Sequence, residues 1–303
     1  MISSYNGGFR VVDRSSIPLA VDDAEAPSLS NDRKTFMSSD KKIVFAVGCH
    51  PDDIEFTIAG TLLLLKDRGH EIHYMTIANG SWGSETIRRE ELIRTRRDEA
   101  RAAAELLGAH YHESLVDDLD VTYSHRTLMR LTAIMREVNP DIVLCQSPSD
   151  YMEDHQNAVR LAYTAAFCRC MPNAPVEPPT PATFKDVTVY HGAPHGSRDM
   201  MRKLVRSERY VDITSVMDRK SAMLACHVSQ GAWLDASQGY SAYIESMRKN
   251  SALVGKVSGK YEYAEGWRRH NFLGFSQEDV DPLGELLGDV SWLDPKYEEW
   301  LNA

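Results

Sequence analysis

The segment Gly48-Cys49-His50-Pro51-Asp52-Asp53-Ile54-Glu55 puts one imidazole and three carboxylates into eight residues. A dinucleotide-binding loop needs glycines here, so that backbone amides can approach a pyrophosphate; this segment offers cation ligands instead. Pro51 fixes the backbone between His50 and the acids. An imidazole with a nearby carboxylate supplies two of the three protein ligands typical of catalytic zinc. The same acids could equally cap a following helix, with His50 an ordinary loop histidine. A second polar cluster, Ser147-Pro148-Ser149-Asp150-Tyr151-Met152-Glu153-Asp154-His155, favours the metal, because His155 would complete a His, Asp, His set if both clusters lie on one rim.

The surrounding pattern places them so. From Lys42 onward short apolar runs alternate with helical periodicity. Strands are expected at 43–47, 72–78, 111–116 and 141–145, and helices at 56–67, 84–107 (closed by Gly108), 126–138 (closed by Asn139-Pro140) and about 154–170. This βαβα rhythm predicts an α/β, Rossmann-like, doubly wound and mostly parallel sheet with helices on both faces. In such sheets ligands sit beyond the carboxyl ends of the strands, where both clusters fall. A strand at 187–190 and helix signals at 214–227 and 240–253 follow. The expected organisation is an N-terminal arm over 1–40 and a single domain over 41–303, with a Pro-rich surface loop or lid at 171–182 and a C-terminal helical extension from about 210.

The sequence resembles the PIG-L/LmbE-like zinc-dependent N-acetylglucosaminyl deacetylases, relatives of the mycothiol and bacillithiol biosynthesis enzymes. The motifs are His50-Pro51-Asp52-Asp53 after the first strand and Asp154-His155 opening the helix after the 141–145 strand. Arg96-x-x-Glu99 with Leu107-Gly108, Lys220 leading to His227-Val228-Ser229-Gln230, and Tyr263-Ala264-Glu265-Gly266-Trp267 add support. The resemblance covers about residues 43–275. It implies one Zn2+ per chain, other divalent metals being compatible with the donor set, held by His50, Asp53 and His155 with a fourth position open to water, and Asp52 as general base. The implied reaction is hydrolysis of the amide of an N-acyl, chiefly N-acetyl, amino sugar or sugar conjugate.

One departure stands out: where many family members carry a further histidine, three residues before the second metal histidine, this chain has Met152, which cannot donate a hydrogen bond. The oxyanion donor must then come from elsewhere; Tyr151, Arg96, His191 and His195 are candidates, and His195, in the Gly/Pro-rich stretch after a strand, is preferred. By family analogy Arg96 reaches the sugar, although pattern alone makes it a solvated ion-pair partner of Glu91 or Glu99. Asp118 is chosen over Asp117 as a substrate-contacting acid, and Tyr151 as a substrate contact. Trp233, Tyr240, Tyr243, Tyr261 and Trp267 are either sugar-stacking or core aromatics. Cys49 is expected to fill space beneath its loop.

Composition sets the outer limits. Among 303 residues, Lys+Arg number 34 against Asp+Glu 44, a formal charge of -10 without a dense basic block, which disfavours nucleic acid as a partner. The longest apolar stretch, 56–65, is too short to span a membrane. Residues 1–40 lack the order of a secretory signal, and five scattered cysteines without a CxxC suit a reducing compartment, so a cytoplasmic protein is expected. The resemblance admits a homo-oligomer, trimer or hexamer. Rival functions are an amidase acting on a thiol conjugate or antibiotic intermediate, a metal-retaining but non-catalytic sugar-binding protein, and a nucleotide-dependent oxidoreductase, the last disfavoured by the missing glycines.

Overall fold

The computed structural model describes residues 41–238 and 243–301. The segment 1–40, expected as an arm, lies outside them, as does Tyr240. The first strand, β1 (Ile43–Gly48), is an uninterrupted apolar run because it is covered on both sides. Val44 and Ala46 face one core and Phe45 and Val47 the other; in β4 (Ile142–Cys145), Ile142 and Leu144 divide from Val143 and Cys145 in the same way. One face is covered by α2 (Ala59–Asp67) and α3 (Arg89–Leu107), the other by α4 (His125–Val138) and α5 (Glu153–Cys168).

With β2 (Glu71–Thr76), β3 (His110–His112), β5 (Thr188–Gly192), β6 (Arg209–Asp212), β7 (Ala264–Arg269) and β8 (Ser291–Leu293), the strands form one eight-stranded sheet in the order β3-β2-β1-β4-β5-β7-β6-β8. The pairs from β3 to β5 are parallel, and those from β5 to β8 antiparallel. Chain order reverses between β1 and β4. That switch point opens a crevice at the strand carboxyl ends, flanked by the loops after β1 and β4.

The expected elements appear with three instructive differences. The 56–67 helix begins earlier and breaks at Ile58 (φ -126°, ψ -30°) into α1 (Asp53–Thr57) and α2. The helix expected from 84 begins at Arg89, because the Ser84 hydroxyl accepts the amides of Thr86 and Ile87 in a local turn. The C-terminal part is not a purely helical extension. It holds α6 (Met217–Leu224), α7 (Val228–Gln238), α8 (Tyr243–Ser258), α9 (Pro282–Leu287) and α10 (Pro295–Leu301), yet β6, β7 and β8 join the sheet. Charged residues hid β6 and β7. In β7, Glu265 is buried against Lys220 (2.5 Å) and the amides of Gly60 and Thr61, and Arg269 pairs with Glu208, so polar positions that read as solvent-facing point inward.

The Pro-rich loop is strapped to α4: the Arg136 guanidinium donates to the carbonyls of Thr180 (2.8 Å) and Met171 (2.5 Å). Among the described residues no helix is long and apolar enough to cross a membrane.

Candidate active site

The β1 carboxyl end delivers the first cluster. Asp52 takes a left-handed backbone (φ 111°, ψ -24°), a conformation costly for a non-glycine residue, and it turns the chain sharply into α1. The turn points Asp52 and Asp53 different ways. Asp53 Oδ2 accepts the His50 amide at 2.7 Å and lies 3.5 Å from His50 Nδ1. Across the crevice the first turn of α5 presents His155, with Nε2 3.4 Å from the same oxygen.

Each imidazole is oriented from behind. The far nitrogen of His50, Nε2, is 3.1 Å from Asp154 Oδ2, and the far nitrogen of His155, Nδ1, is 3.0 Å from Asp150 Oδ1. A carboxylate behind each histidine fixes the ring and leaves the other nitrogen's lone pair toward the crevice, as metal-ligating histidines require. Donor atoms of Cys49, His50, Asp53 and His155 lie within 4.8 Å of one another. Cys49 is the poor member. Its sulfur is 3.8 Å from His50 Nε2, the nitrogen turned toward Asp154, and burial pushes its thiol up to about 12, so it stays protonated and fills space beneath the loop. The remaining donors, two imidazole nitrogens and a carboxylate, fit a catalytic zinc set. Burial alone would raise the Asp53 carboxyl, but His155 and His50 outweigh it and hold it well below the ordinary range, as suits a permanent anion.

Asp52 does not join this set. One oxygen faces the Arg96 guanidinium at 3.5 Å, and the other accepts from the Tyr243 hydroxyl at the start of α8. Burial pushes its carboxyl above the ordinary value, while Arg96 pulls the other way. Arg96 is only 2% exposed and also donates to the Pro51 carbonyl at 2.5 Å, so it is no solvated partner of Glu91 or Glu99. Glu99 instead binds the Ser229 amide and hydroxyl. Beneath Asp52 lies a fully buried His227–Glu55 pair at 3.2 Å, with the Tyr74 hydroxyl donating to Glu55.

A cavity of about 610 Å³ opens over these groups. His195 lines it, its ring 5.4 Å from Phe56 and 6.3 Å from Tyr151, and burial lowers its pKa, so it is neutral at pH 7. His191 is not at the site: it is a core residue of β5, 3.3 Å from the Cys145 sulfur and 2.9 Å from His270. Tyr151, Met152 and Trp82 border the opening. Asp118 also lines the cavity, but its two oxygens accept the amides of Gly80 (2.7 Å) and Trp82 (3.0 Å), which makes it the clasp of the 80–82 loop. Of the aromatic candidates, Trp233 and Tyr243 line the cavity; Trp267 is core, its indole N–H donating to Thr61.

Sequence reasoning missed the roles of Asp150 and Trp82 and, although it named Tyr243 as a stacking or core aromatic, missed its contact with Asp52. Asp150, five residues before His155, was legible as part of a polar cluster. Tyr243 lies 191 residues from Asp52, and no local pattern announces such a contact.

Comparison with known proteins points the same way. Residues 45–166 match the family model described as PIG-L, GlcNAc-PI de-N-acetylase. The chain is 29% identical to the 4-oxalmesaconate hydratase of Pseudomonas putida over 202 residues, 64% of this chain and 76% of that one. It is 28% identical to the diacetylchitobiose deacetylase of Thermococcus kodakarensis over 238 residues, 76% of this chain and 84% of that one. Its fold resembles the N,N'-diacetylchitobiose deacetylase from Pyrococcus horikoshii, with a TM-score of 0.64, 24% identity and coverage of 80% of this chain and 89% of that one. The matched residues contain His50, Asp52, Asp53, Arg96 and His155 together, so the part of the chain that carries this site is similar to the PIG-L family.

Proposed function

We propose that the chain is a zinc-dependent amidohydrolase that removes an acyl group, acetyl in the first instance, from an N-acylated amino sugar or its conjugate. The observation that carries this reading is the approach of His50 Nδ1 and His155 Nε2 to Asp53 Oδ2, beside a buried Asp52 held out of the set by Arg96 and Tyr243. The family description and the name of the Thermococcus relative, both of which specify acetylated amino sugars, support the substrate class.

His50, Asp53 and His155 would hold a zinc ion, which would supply Lewis acidity and lower the pKa of the attacking water. Asp52 takes the proton released as the water adds and returns it to the nitrogen as the C–N bond breaks, giving a free amine and a carboxylate. Burial strengthens Asp52 as a base by bringing its pKa toward the working pH. Neutral His195 retains an N–H to donate to the carbonyl oxygen as negative charge develops there, a service Met152 cannot perform. Trp82 and Tyr151, 60% and 59% exposed at the opening, offer faces on which a sugar ring can stack.

A second reading is the addition of water to a carbon–carbon double bond. Similarity to the Pseudomonas hydratase favours it, and the same base and metal set would serve. The test is zinc content together with acetate release from N-acetylglucosamine, diacetylchitobiose and a panel of thiol and antibiotic conjugates, with an unsaturated dicarboxylic acid assayed for hydration. Wild type should bind zinc and release acetate. Asp52→Ala should keep zinc and lose activity by about 10²–10⁴-fold, and His155→Ala should lose the zinc of this site. Hydration without amide cleavage would replace the proposal, and zinc binding with no turnover at all would leave a sugar-binding protein.

A further inference from the structure

Away from the crevice, at the outer edge of the sheet, the parallel strands β2 and β3 bring Glu71, His73, His110 and His112 together. His73 is the register partner of His110, and Met75 that of His112. The rings of His73 and His110 are therefore neighbours, with centroids 4.8 Å apart. Glu71, two residues before His73 on the same strand, points to the same face. Its Oε1 lies 3.1 Å from His73 Nε2 and 3.7 Å from His110 Nε2, and the three donors lie within 4.8 Å of one another.

We propose that this cluster is a second metal site, for a divalent transition ion of the zinc class, built from Glu71 Oε1, His73 Nε2 and His110 Nε2. A tetrahedral ion with ligand bonds of about 2.0–2.2 Å holds its donors roughly 3.3–3.6 Å apart. The two separations from Glu71 Oε1 bracket that spacing, and all donors lie within 4.8 Å of one another, so side-chain rotation can close the set. The groups behind the donors are arranged as at a metal site. Lys41 occupies the other oxygen of Glu71, Oε2, at 2.7 Å and leaves Oε1 to the histidines. His112 Nε2 lies 2.8 Å from His73 Nδ1, where it can accept that nitrogen's proton and turn the Nε2 lone pair outward. The His110 side chain is 65% exposed, which gives an ion a path from solvent and leaves room for water in the remaining position.

Two imidazoles and one carboxylate suit zinc, nickel or copper and are a poor set for calcium or magnesium. The site would act on the fold. β3 is a three-residue edge strand with a short ladder, and an ion bridging β2 to β3 clips that edge to the sheet.

The proposal is tested with untagged protein, saturated with zinc, desalted and analysed for bound metal. Wild type should carry two equivalents. His110→Ala and Glu71→Gln should each carry one, His155→Ala one, and the His110→Ala, His155→Ala double variant none. Zinc should raise the Tm of His155→Ala, and this rise should vanish in the double variant. Circular dichroism checks that His110→Ala, a change at an exposed residue, remains folded; Glu71→Gln gives an independent check on the ligand set. A single equivalent in wild type that disappears in His155→Ala would overturn the edge site while leaving the catalytic centre intact. One equivalent that survives in His155→Ala and disappears in His110→Ala would do the reverse. Unchanged stoichiometry in both His110→Ala and Glu71→Gln would also overturn the edge site.

Discussion

The Asp52 carboxylate and the Arg96 guanidinium face each other at 3.5 Å, one on the turn after β1 and the other inside α3. Arg96 is the principal charge opposing the rise that burial imposes on the Asp52 pKa. Removing it should move that pKa further up. The proposed base acts only when deprotonated, so the acid limb of the kcat/KM profile should shift to higher pH in Arg96→Met. The Pro51 carbonyl would also lose its donor. Breaking a buried pair by removing one partner costs about 3–5 kcal/mol, so urea unfolding should show a loss of that order. An unshifted acid limb in a folded variant would remove Arg96 from the tuning of Asp52.

The parallel half of the fold and the clustering of His50, Asp53 and His155 were legible for a shared reason. β1 and β4 are buried on both faces and therefore spell apolar runs, while the candidate site residues stand directly after them, where parallel sheets end in loops. β7 was illegible because its polar side chains are buried with partners from distant segments: Glu265 with Lys220 and the start of α2, Arg269 with Glu208. The burial of Arg96 was hidden by a strongly charged helix in which its neighbours Arg94 and Arg97 look the same. The motif resemblance picked out Arg96, but only the tertiary fold gives its contact with the Pro51 turn.

At the proposed metal site, the carboxylate behind His155 should matter almost as much as His155 itself. Asp150 accepts from His155 Nδ1 at 3.0 Å and also from the Met152 amide at 3.1 Å, so it fixes both the ring and the loop that carries it. Asp150→Asn keeps the size and loses the charge. Loss of such a partner typically weakens metal binding by about 10–100-fold. Competition with a graded chelator should show that loss, with activity recovering as zinc is added in excess. Affinity equal to wild type would mean that packing alone orients His155.

His191 and His270 give the fold an acid sensitivity separate from catalysis. Their rings meet at 2.9 Å, and burial, reinforced by His270 and Arg268, lowers the His191 pKa from 6.5 to about 3. The unfolded chain therefore binds a proton between those values that the folded chain refuses. Stability should be unaffected by this group above pH 6.5 and should fall progressively as pH drops toward 3. At about 1.4 kcal/mol per pH unit, the slope should be visible in urea midpoints between pH 7.5 and 5. In His191→Asn the same comparison, made on metal-stripped protein so that ligand protonation does not enter, should give a flatter slope. Parallel curves would assign the acid sensitivity elsewhere.

Lys220 and Glu265 test whether the antiparallel half of the sheet depends on a buried charge pair. Their contact is 2.5 Å, and both side chains are almost wholly excluded from solvent. Glu265 also accepts the Gly60 amide at 2.8 Å and the Thr61 amide at 2.7 Å, which lie at the start of α2 and have no partners within that helix. Lys220→Met leaves a buried carboxylate without its cation, and the expected cost is about 3–5 kcal/mol, read as a lowered urea midpoint. Glu265→Gln should cost less at Lys220→Met than in wild type, because the amide removes the orphaned charge and its carbonyl still serves one of the two N–H donors. The residual loss in the double variant then measures what the carboxylate does for α2. Because α2 follows α1 directly and α1 begins at Asp53, loosening this anchor should also weaken metal binding at a site the two substitutions never touch. Additive costs, with zinc affinity unchanged, would show instead that the pair and the active-site turn are independent.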